Sequence, residues 1–425
     1  MGDIALVLPL HPTFHKRLVY TGTFRFPNGD AAAARVLAIG KCLRAAGWEV
    51  AYAGAEERER SEDRLPDGSF EFQGFPYQSC NELRTTHLSP LRRLTRYLDA
   101  GRSTLRLLRS QPLRSVGAVI LYNGLSGYHL RVRRFCRERR IPLFVDCTEW
   151  FSPQQLPGGV LGLPYWDLNY TLRILNPQAQ GIFSISSFFH RYYTGKGSRS
   201  VRVPPLVDLS EPKWSVTEAK PVSGIRLVYA GIPGKKDALH VVVRAVARVV
   251  AEGAPVSLRV LGPSKEAFTQ LLNRAGIDST ALRQAVIVEG RVAQSEVPRL
   301  VGQAHFAVLM RPVERYAMAG FPTKVVEALA SGTPVMANPT SDIAEFVRHR
   351  REGILLDECS VEALVRGLRL ALSLSYGELV KMADAARKRA LDCFDYHSYV
   401  EPLELFLRST GMHQSSPGYA EAVAP

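Results

Sequence analysis

A chain of 425 residues is too long for one compact core, so two domains are expected, and its 46% apolar content is that of a globular protein. No apolar run approaches the ~20 residues of a membrane-spanning helix, and six cysteines without a CxxC pair exclude a zinc ribbon and a disulfide framework, which fits a reducing cytoplasm. The net charge of +14 is uneven: residues 81–140 hold 14 Arg against Glu82, Asp99 and Glu138, so +11 of it sits there.

The opening "MGDIALVLPLHP" lacks a basic leader and a small-residue cleavage site, and reads as a first β-strand. Strand-like runs then alternate with helical patterns. "EVAYAG", "AVILYN", "PLFVDC" and "GIFSIS" follow the helix "GDAAAARVLAIGKCLRAAG". The stretch 201–224, rich in Pro and Ser and without a period, reads as a linker. The succession then restarts with "IRLVYAG", "ALHVVVRAVARVVAEG", "SLRVLG", a helix from Lys265 to Gly276, "AVIVEG", "EVPRLVGQA", "FAVLM", "TPVMAN", "DIAEFVRHR" and "GILLD". Two such βαβ successions predict two parallel sheets covered by helices, with ligands at the carboxyl ends of the strands. A final helical pattern covers about 377–408, and the polar end after it reads as a loose tail.

Three stretches carry candidate chemistry. In "AGFPTKVVEALASGTPVMANP" (319–339) a loop runs into a helix from about Thr323. The unpaired amides of a helix start suit a phosphate or a sugar hydroxyl. Lys324 and Glu327, three apart, share one face. They are either a cation for a phosphate and an acceptor for a vicinal diol, or an ordinary surface pair. In "YAGIPGKKDAL" (229–239) glycines and two lysines follow a strand, as in an anion site or a solvated turn. It is not a P-loop, because Asp237 stands where Ser or Thr is required. In "RFPNGDAAAAR" (25–35) Gly29 precedes a helix that Asn28 or Asp30 would cap.

In this order and spacing the three stretches resemble the GT-B glycosyltransferases of family 4, the retaining glycosyl transferases group 1. The family's usual "EGFGLVVLEAMACGTPVVA" aligns without gaps to "AGFPTKVVEALASGTPVMA". "ISSFFHRYY" followed by "VPPLVD", and the stretch 286–309, add support. The resemblance implies two Rossmann-like domains facing a cleft, at 1–207 and 208–390, then a helix at 391–410 packing back on the first domain and a flexible tail at 411–425. It implies that Glu327 binds the ribose hydroxyls, that Lys235 or Lys236 meets the donor diphosphate, and that Gly320, Phe321, Pro322 and Thr323 turn backbone toward the donor sugar and phosphate. Arg291 and Val292 fall near the base, and Gly29 near the sugar phosphate.

Two departures stand out. The family's first glutamate is Ala319 here, and Pro322 removes an amide from the loop; Lys324 is a candidate for the missing contact. In "VDCTEWFSP", which holds Asp146, Glu149 is the candidate polar group near the sugar, and Trp150 is either a sugar-stacking face or a core aromatic.

The implied reaction is metal-independent transfer from a UDP- or GDP-sugar to a hydroxyl of a sugar, a lipid-linked sugar or a small aglycone. It would use no cofactor and no protein nucleophile, and lysines and helix starts would stabilise the departing phosphate. Bacterial surface polysaccharide, glycolipid and natural-product assembly are the expected settings, in the cytoplasm or peripherally at the inner face of the plasma membrane. The Arg- and Leu-rich stretch 89–115 either lies on an anionic membrane or turns its leucines into a core. Three rivals remain: an inactive sugar-nucleotide-binding scaffold, an epimerase on the same fold, and a nucleic-acid-binding protein, for which no binding motif is found.

Overall fold

The computed structural model describes residues 17–412 apart from 28, 83–96, 111–115, 216–222, 235, 279–281 and 283. The strand expected at 4–10, the cap candidate Asn28, Lys235 and the stretch 89–96 lie outside the described residues. The chain forms two compact units. One takes the described residues up to Ile185, then Phe189–Val203, and resumes at Tyr396; the other holds Ser186–Phe188 and Pro204–Asp395.

The strands of the first unit are β1 (Arg17–Gly22), β2 (Glu49–Gly54), β3 (Glu71–Phe72), β4 (Phe75–Ser79), β5 (Ala118–Tyr122), β6 (Leu143–Cys147), β7 (Gly181–Ser184) and β8 (Ser200–Arg202). They form one sheet in the order β3-β4-β2-β1-β5-β6-β7-β8, parallel except for the β3–β4 pair. β1 lies between β2 and β5. All five residues of β5 and all six of β1 are buried, as expected of central strands covered on both faces.

After β1 the chain turns through Gly29 into the helix Ala31–Ala45, whose first turn Asp30 caps by accepting from the Ala33 amide at 2.8 Å. Beneath it Arg35 is buried against Asp146 of β6, with an Nη2–Oδ1 distance of 2.7 Å, and the Tyr20 hydroxyl donates to Asp146 at 2.6 Å. The pair is a structural tie between helix and strand. The helix Val400–Ser409 also belongs to this unit. Phe406 packs edge-on to Phe183 at 5.7 Å, and the Gln180 side-chain amide donates to the Thr410 carbonyl at 2.8 Å.

Of the Arg-rich stretch the structure describes 97–110, which includes the helix Arg102–Ser110. Leu108 is buried and Leu105 packs on the same core. Arg102, Arg106 and Arg109 point outward. Leu105 and Leu108 therefore take the core alternative, while Leu98 is 58% exposed.

The second unit holds β9 (Ile225–Ala230), β10 (Val256–Leu261), β11 (Val286–Gly290), β12 (Phe306–Leu309), β13 (Val335–Ala337) and β14 (Gly353–Leu355). They are parallel, in the order β11-β10-β9-β12-β13-β14. The helices Leu239–Ala251 and Val361–Ser373 bury valine- and leucine-rich faces on the sheet. This topology places the ends of β9 and β12 side by side, and the two lysine-bearing motifs meet there. The fold class is the expected one: two parallel α/β sheets.

Candidate functional site

At the carboxyl end of β9 the chain leaves through Tyr229, Ala230 and Gly231. Gly231 has φ +131°, and a Cβ there would lie 2.5 Å from Cε of Lys324. The glycine is what lets the lysine pass. The next turn is pinned to the end of β12, where the Ala238 amide donates to the Met310 carbonyl at 2.8 Å. This sets Asp237 at the centre of a charged cluster. Lys324 donates to its carboxylate, Arg311 Nε donates to it at 3.2 Å, and the Tyr229 hydroxyl donates to it at 2.8 Å. Lys324 also donates to the Tyr229 hydroxyl at 3.0 Å and stands 4.3 Å from the ring centroid. Burial pulls the Lys324 ammonium below its ordinary range, and Asp237 opposes that shift. Burial would raise the Asp237 carboxyl, but Lys324 and then Arg311 outweigh it, and the net shift is downward. Two cations against one carboxylate leave the cluster positive, which suits an anion.

Arg311 is held firmly. Its amide donates to Asn338 Oδ1 at 2.9 Å and its carbonyl accepts from Asn338 Nδ2 at 2.8 Å. Neither Arg311 nor the anchoring role of Asp237 follows from the sequence motifs. An acid embedded in "GKKD" was the available signal, since a lone carboxylate within a cationic turn needs a cation to face.

The helix Thr323–Ala330 carries the second element of the site. Lys324 and Glu327 are not a surface pair, because the lysine is committed to Asp237. Glu327 is half-buried. It borders a crevice lined also by Val228, Val301, Leu309 and Val325. Its carboxylate accepts no hydrogen bond from any described residue. Desolvation in this apolar crevice pushes its carboxyl up from 4.5 to about 7, against the pull of Lys324 and Lys213. A carboxylate that lacks donors is ready for a ligand that brings them.

The loop before this helix offers less backbone than the resemblance implied. The Gly320 amide is spent on the Tyr316 carbonyl at 3.2 Å. Phe321 turns its ring inward against Phe346 at 5.6 Å and Phe394 at 6.0 Å. Pro322 has no amide, which leaves the first turn from Thr323. Ala319 is 0% exposed and its carbonyl accepts from the Ser186 hydroxyl. A glutamate could not occupy this position without repacking.

Lys236 lies half-buried in the β9 turn, and Arg291 and Val292 follow β11 at the same edge of the sheet. In the first unit, Gly29 is exposed at the end of the β1 loop. Its amide bonds the Arg25 carbonyl at 2.8 Å, and a Cβ would press on Arg25 at 2.5 Å. Glu149 is half-buried beside Tyr122. Trp150 is a core aromatic: it stacks on Phe189 at 6.0 Å and 9°, meets Tyr192 edge-on at 5.1 Å, and lies under Arg173 at 5.2 Å. No ring face is left to stack on a sugar. Among the described residues no group of three or more His, Cys, Asp or Glu side chains could hold a metal.

Residues 224–373 match the family model described as Glycosyl transferases group 1. Among curated proteins, one named "Putative colanic acid biosynthesis glycosyltransferase WcaL" from Escherichia coli is 26% identical over 174 residues. The match covers 40% of this chain and 41% of that relative, so the chain spans less than half the length of the relative it matches. Among solved structures, sucrose-phosphate synthase from Thermosynechococcus elongatus superposes with a TM-score of 0.72 at 13% identity, covering 93% of this chain and 98% of that one. Anabaena HepE, solved with UDP and glucose, does so with a TM-score of 0.65 at 15% identity, covering 93% and 100%. Identities this low carry the fold, which is GT-B.

Proposed function

We propose that this chain, whose second unit carries the Glycosyl transferases group 1 match, is a retaining glycosyltransferase. It moves a sugar from a nucleotide-diphosphate donor to a hydroxyl acceptor, without a metal, in polysaccharide, glycolipid or natural-product glycoside assembly. The observation that carries this reading is Glu327, a desolvated carboxylate with no donor of its own, one helical turn from a cluster with excess positive charge. A ribose diol supplies two O–H donors to such a carboxylate, and a diphosphate beside it meets Lys324 and Arg311. HepE was solved with UDP and glucose, which favours UDP as the nucleotide. The name of WcaL favours surface polysaccharide as the setting.

In this reading the bond from the anomeric carbon to the diphosphate breaks as the acceptor oxygen approaches the same face. Negative charge grows on the leaving phosphate, where Lys324, Arg311 and the lysine pair Lys235 and Lys236 stabilise it. The acceptor hydroxyl gives its proton to a departing phosphate oxygen, so no protein nucleophile is needed. Asp237 holds both cations in place before the donor arrives and spares reorganisation during transfer.

A second reading keeps nucleotide binding and discards transfer; the buried Ala319, where the family's first glutamate would stand, favours it. Thermal-shift titration with UDP, GDP, ADP and TDP separates these readings from no binding at all. Stabilisation by one nucleotide that is lost in Glu327→Ala supports the clamp. Transfer or hydrolysis of the matching nucleotide sugar then distinguishes enzyme from scaffold. No stabilisation by any nucleotide, in a folded protein, overturns the assignment of Glu327.

A further inference from the structure

After β6 the first unit forms a turn at Gly159–Leu161, the helix Leu163–Tyr170 and, without a break, a wider π-type turn over Thr171–Leu175. Its inner face is buried through Asp167, Asn169, Thr171, Leu172 and Leu175. Its outer face is apolar and uncovered. Leu161 is 92% exposed, Leu163 55%, Trp166 62%, Tyr170 45% and Ile174 48%. From Leu163 on these residues recur every three or four positions and form one stripe along the helix. A patch of this kind on an isolated unit marks a surface that meets something.

The charge around the stripe says what. From Trp150 to Val203 the sole acidic residue is Asp167. It is buried and engaged by the Ser126 hydroxyl and amide. The same stretch exposes Arg173, Arg191, Lys196 and Arg199. Lys196 donates to the Arg173 carbonyl at 3.0 Å, which places two of these cations at the end of the stripe. The helix Ser126–Arg139 packs alongside and adds exposed Arg134 and Arg137, with Leu130 exposed as well. Its one acid, Glu138, is paired with Arg134 at 2.7 Å. The Trp166 indole N–H is already satisfied by the Val160 carbonyl at 2.8 Å. The ring can therefore enter an apolar layer without stranding a donor.

We propose that the Leu161–Ile174 stripe seats the first unit on an anionic phospholipid bilayer. Leu161, Leu163, Trp166, Tyr170 and Ile174 sink to the level of the headgroups and upper acyl chains, and the flanking arginines and lysines meet the lipid phosphates. Apolar and aromatic residues on one face with basic residues beside them are what an interfacial helix requires. The contact lies on a different segment from 89–115, where Leu105 and Leu108 are used by the core. It does not depend on the assignment of the nucleotide site.

The test is co-sedimentation of the full-length protein with vesicles of phosphatidylcholine, alone or mixed with phosphatidylglycerol. The wild type is expected to partition to the anionic vesicles, to ignore the neutral ones, and to be released as salt is raised. Leu161→Ser with Trp166→Ser, at positions that carry no core packing, should weaken partitioning at least about tenfold. Far-UV circular dichroism and nucleotide-induced thermal shift should be unchanged, so this inference and the nucleotide reading fail separately. Equal partitioning of the double variant overturns the proposal, as does a wild type that ignores anionic vesicles. A wild-type dimer that the double variant converts to monomer would show a second copy on the stripe instead. Loss of binding only in an Arg102, Arg106 and Arg109 to Ser variant would return the contact to the Arg-rich helix.

Discussion

Replacing Glu327 by Gln removes a charge while keeping the shape of the side chain, and two opposite effects follow. The wild-type carboxyl titrates near 7 in the folded chain against an ordinary 4.5. Below pH 4.5 both states hold the proton and Glu327 contributes nothing. Between 4.5 and 7 the folded state keeps a proton that the unfolded state has lost, so stability falls as pH rises, and above 7 the full penalty applies. The shift corresponds to about 3 kcal/mol, and the remaining solvent contact of the side chain reduces this to roughly 1–2 kcal/mol. Glu327→Gln should therefore be more stable than wild type by that amount at pH 8 and no more stable at pH 4.5.

Nucleotide binding should move the other way. A diol donates better to a carboxylate than to an amide, and losing charged character in two hydrogen bonds weakens binding by about 10- to 100-fold. Because binding favours the ionised carboxylate, wild-type affinity should drop roughly tenfold from pH 8 to pH 6. The Gln variant should lack that component; titration of the nucleotide itself is common to both proteins and cancels. Thermal unfolding across pH and isothermal titration with the nucleotide found by thermal shift measure both effects. A variant less stable than wild type at pH 8, or one that binds nucleotide as tightly, refutes the account of Glu327.

Three further outcomes are expected. Asp237→Ala leaves Lys324 and Arg311 facing each other uncompensated, and should destabilise the chain by about 2–4 kcal/mol in denaturant unfolding; a change within error would mean that the cluster is already solvated. Ala319→Glu, which restores the family's residue, should lower stability by about 2–4 kcal/mol because it buries a carboxylate without a partner; rescue or gain of transfer would contradict the packing at this position. Trp150→Ala should lower the melting temperature through a core loss of about 3–5 kcal/mol, whereas normal stability with a raised acceptor KM would restore the sugar-stacking role.

What the sequence disclosed depended on how local the cause was. The start of the helix at Thr323 follows from the pattern within a dozen residues, and it is found. β1 did not stand out, because "RLVYTG" begins with an arginine and has a short apolar stretch; sheet pairing on both sides makes it a central strand. The partner of Lys324 was hidden for a different reason. Asp237 is 87 positions away and Arg311 74 positions from Asp237. Only the adjacency of β9 and β12 brings them together, and no local pattern encodes sheet order. Trp150 was ambiguous because an aromatic after a strand has the same neighbours in sequence whether it faces a ligand or Phe189. The spent amide of Gly320 likewise depends on the short helix Arg315–Ala319, which a Gly- and Pro-containing loop does not announce.

The return of the chain to the first unit at Tyr396 inverts the order of synthesis and completion. Leu403, Phe406 and Leu407 are buried in that unit, yet a ribosome makes them only after the whole of Pro204–Asp395. At roughly 5–20 residues per second the first unit waits about 10–40 s with the ground under Phe144 and Phe183 unoccupied. The second unit, contiguous apart from Ser186–Phe188, can finish first although it starts second. A fragment ending at Val203 should be sticky in solution, and a peptide spanning Tyr396–Met412 supplied in trans should quiet it.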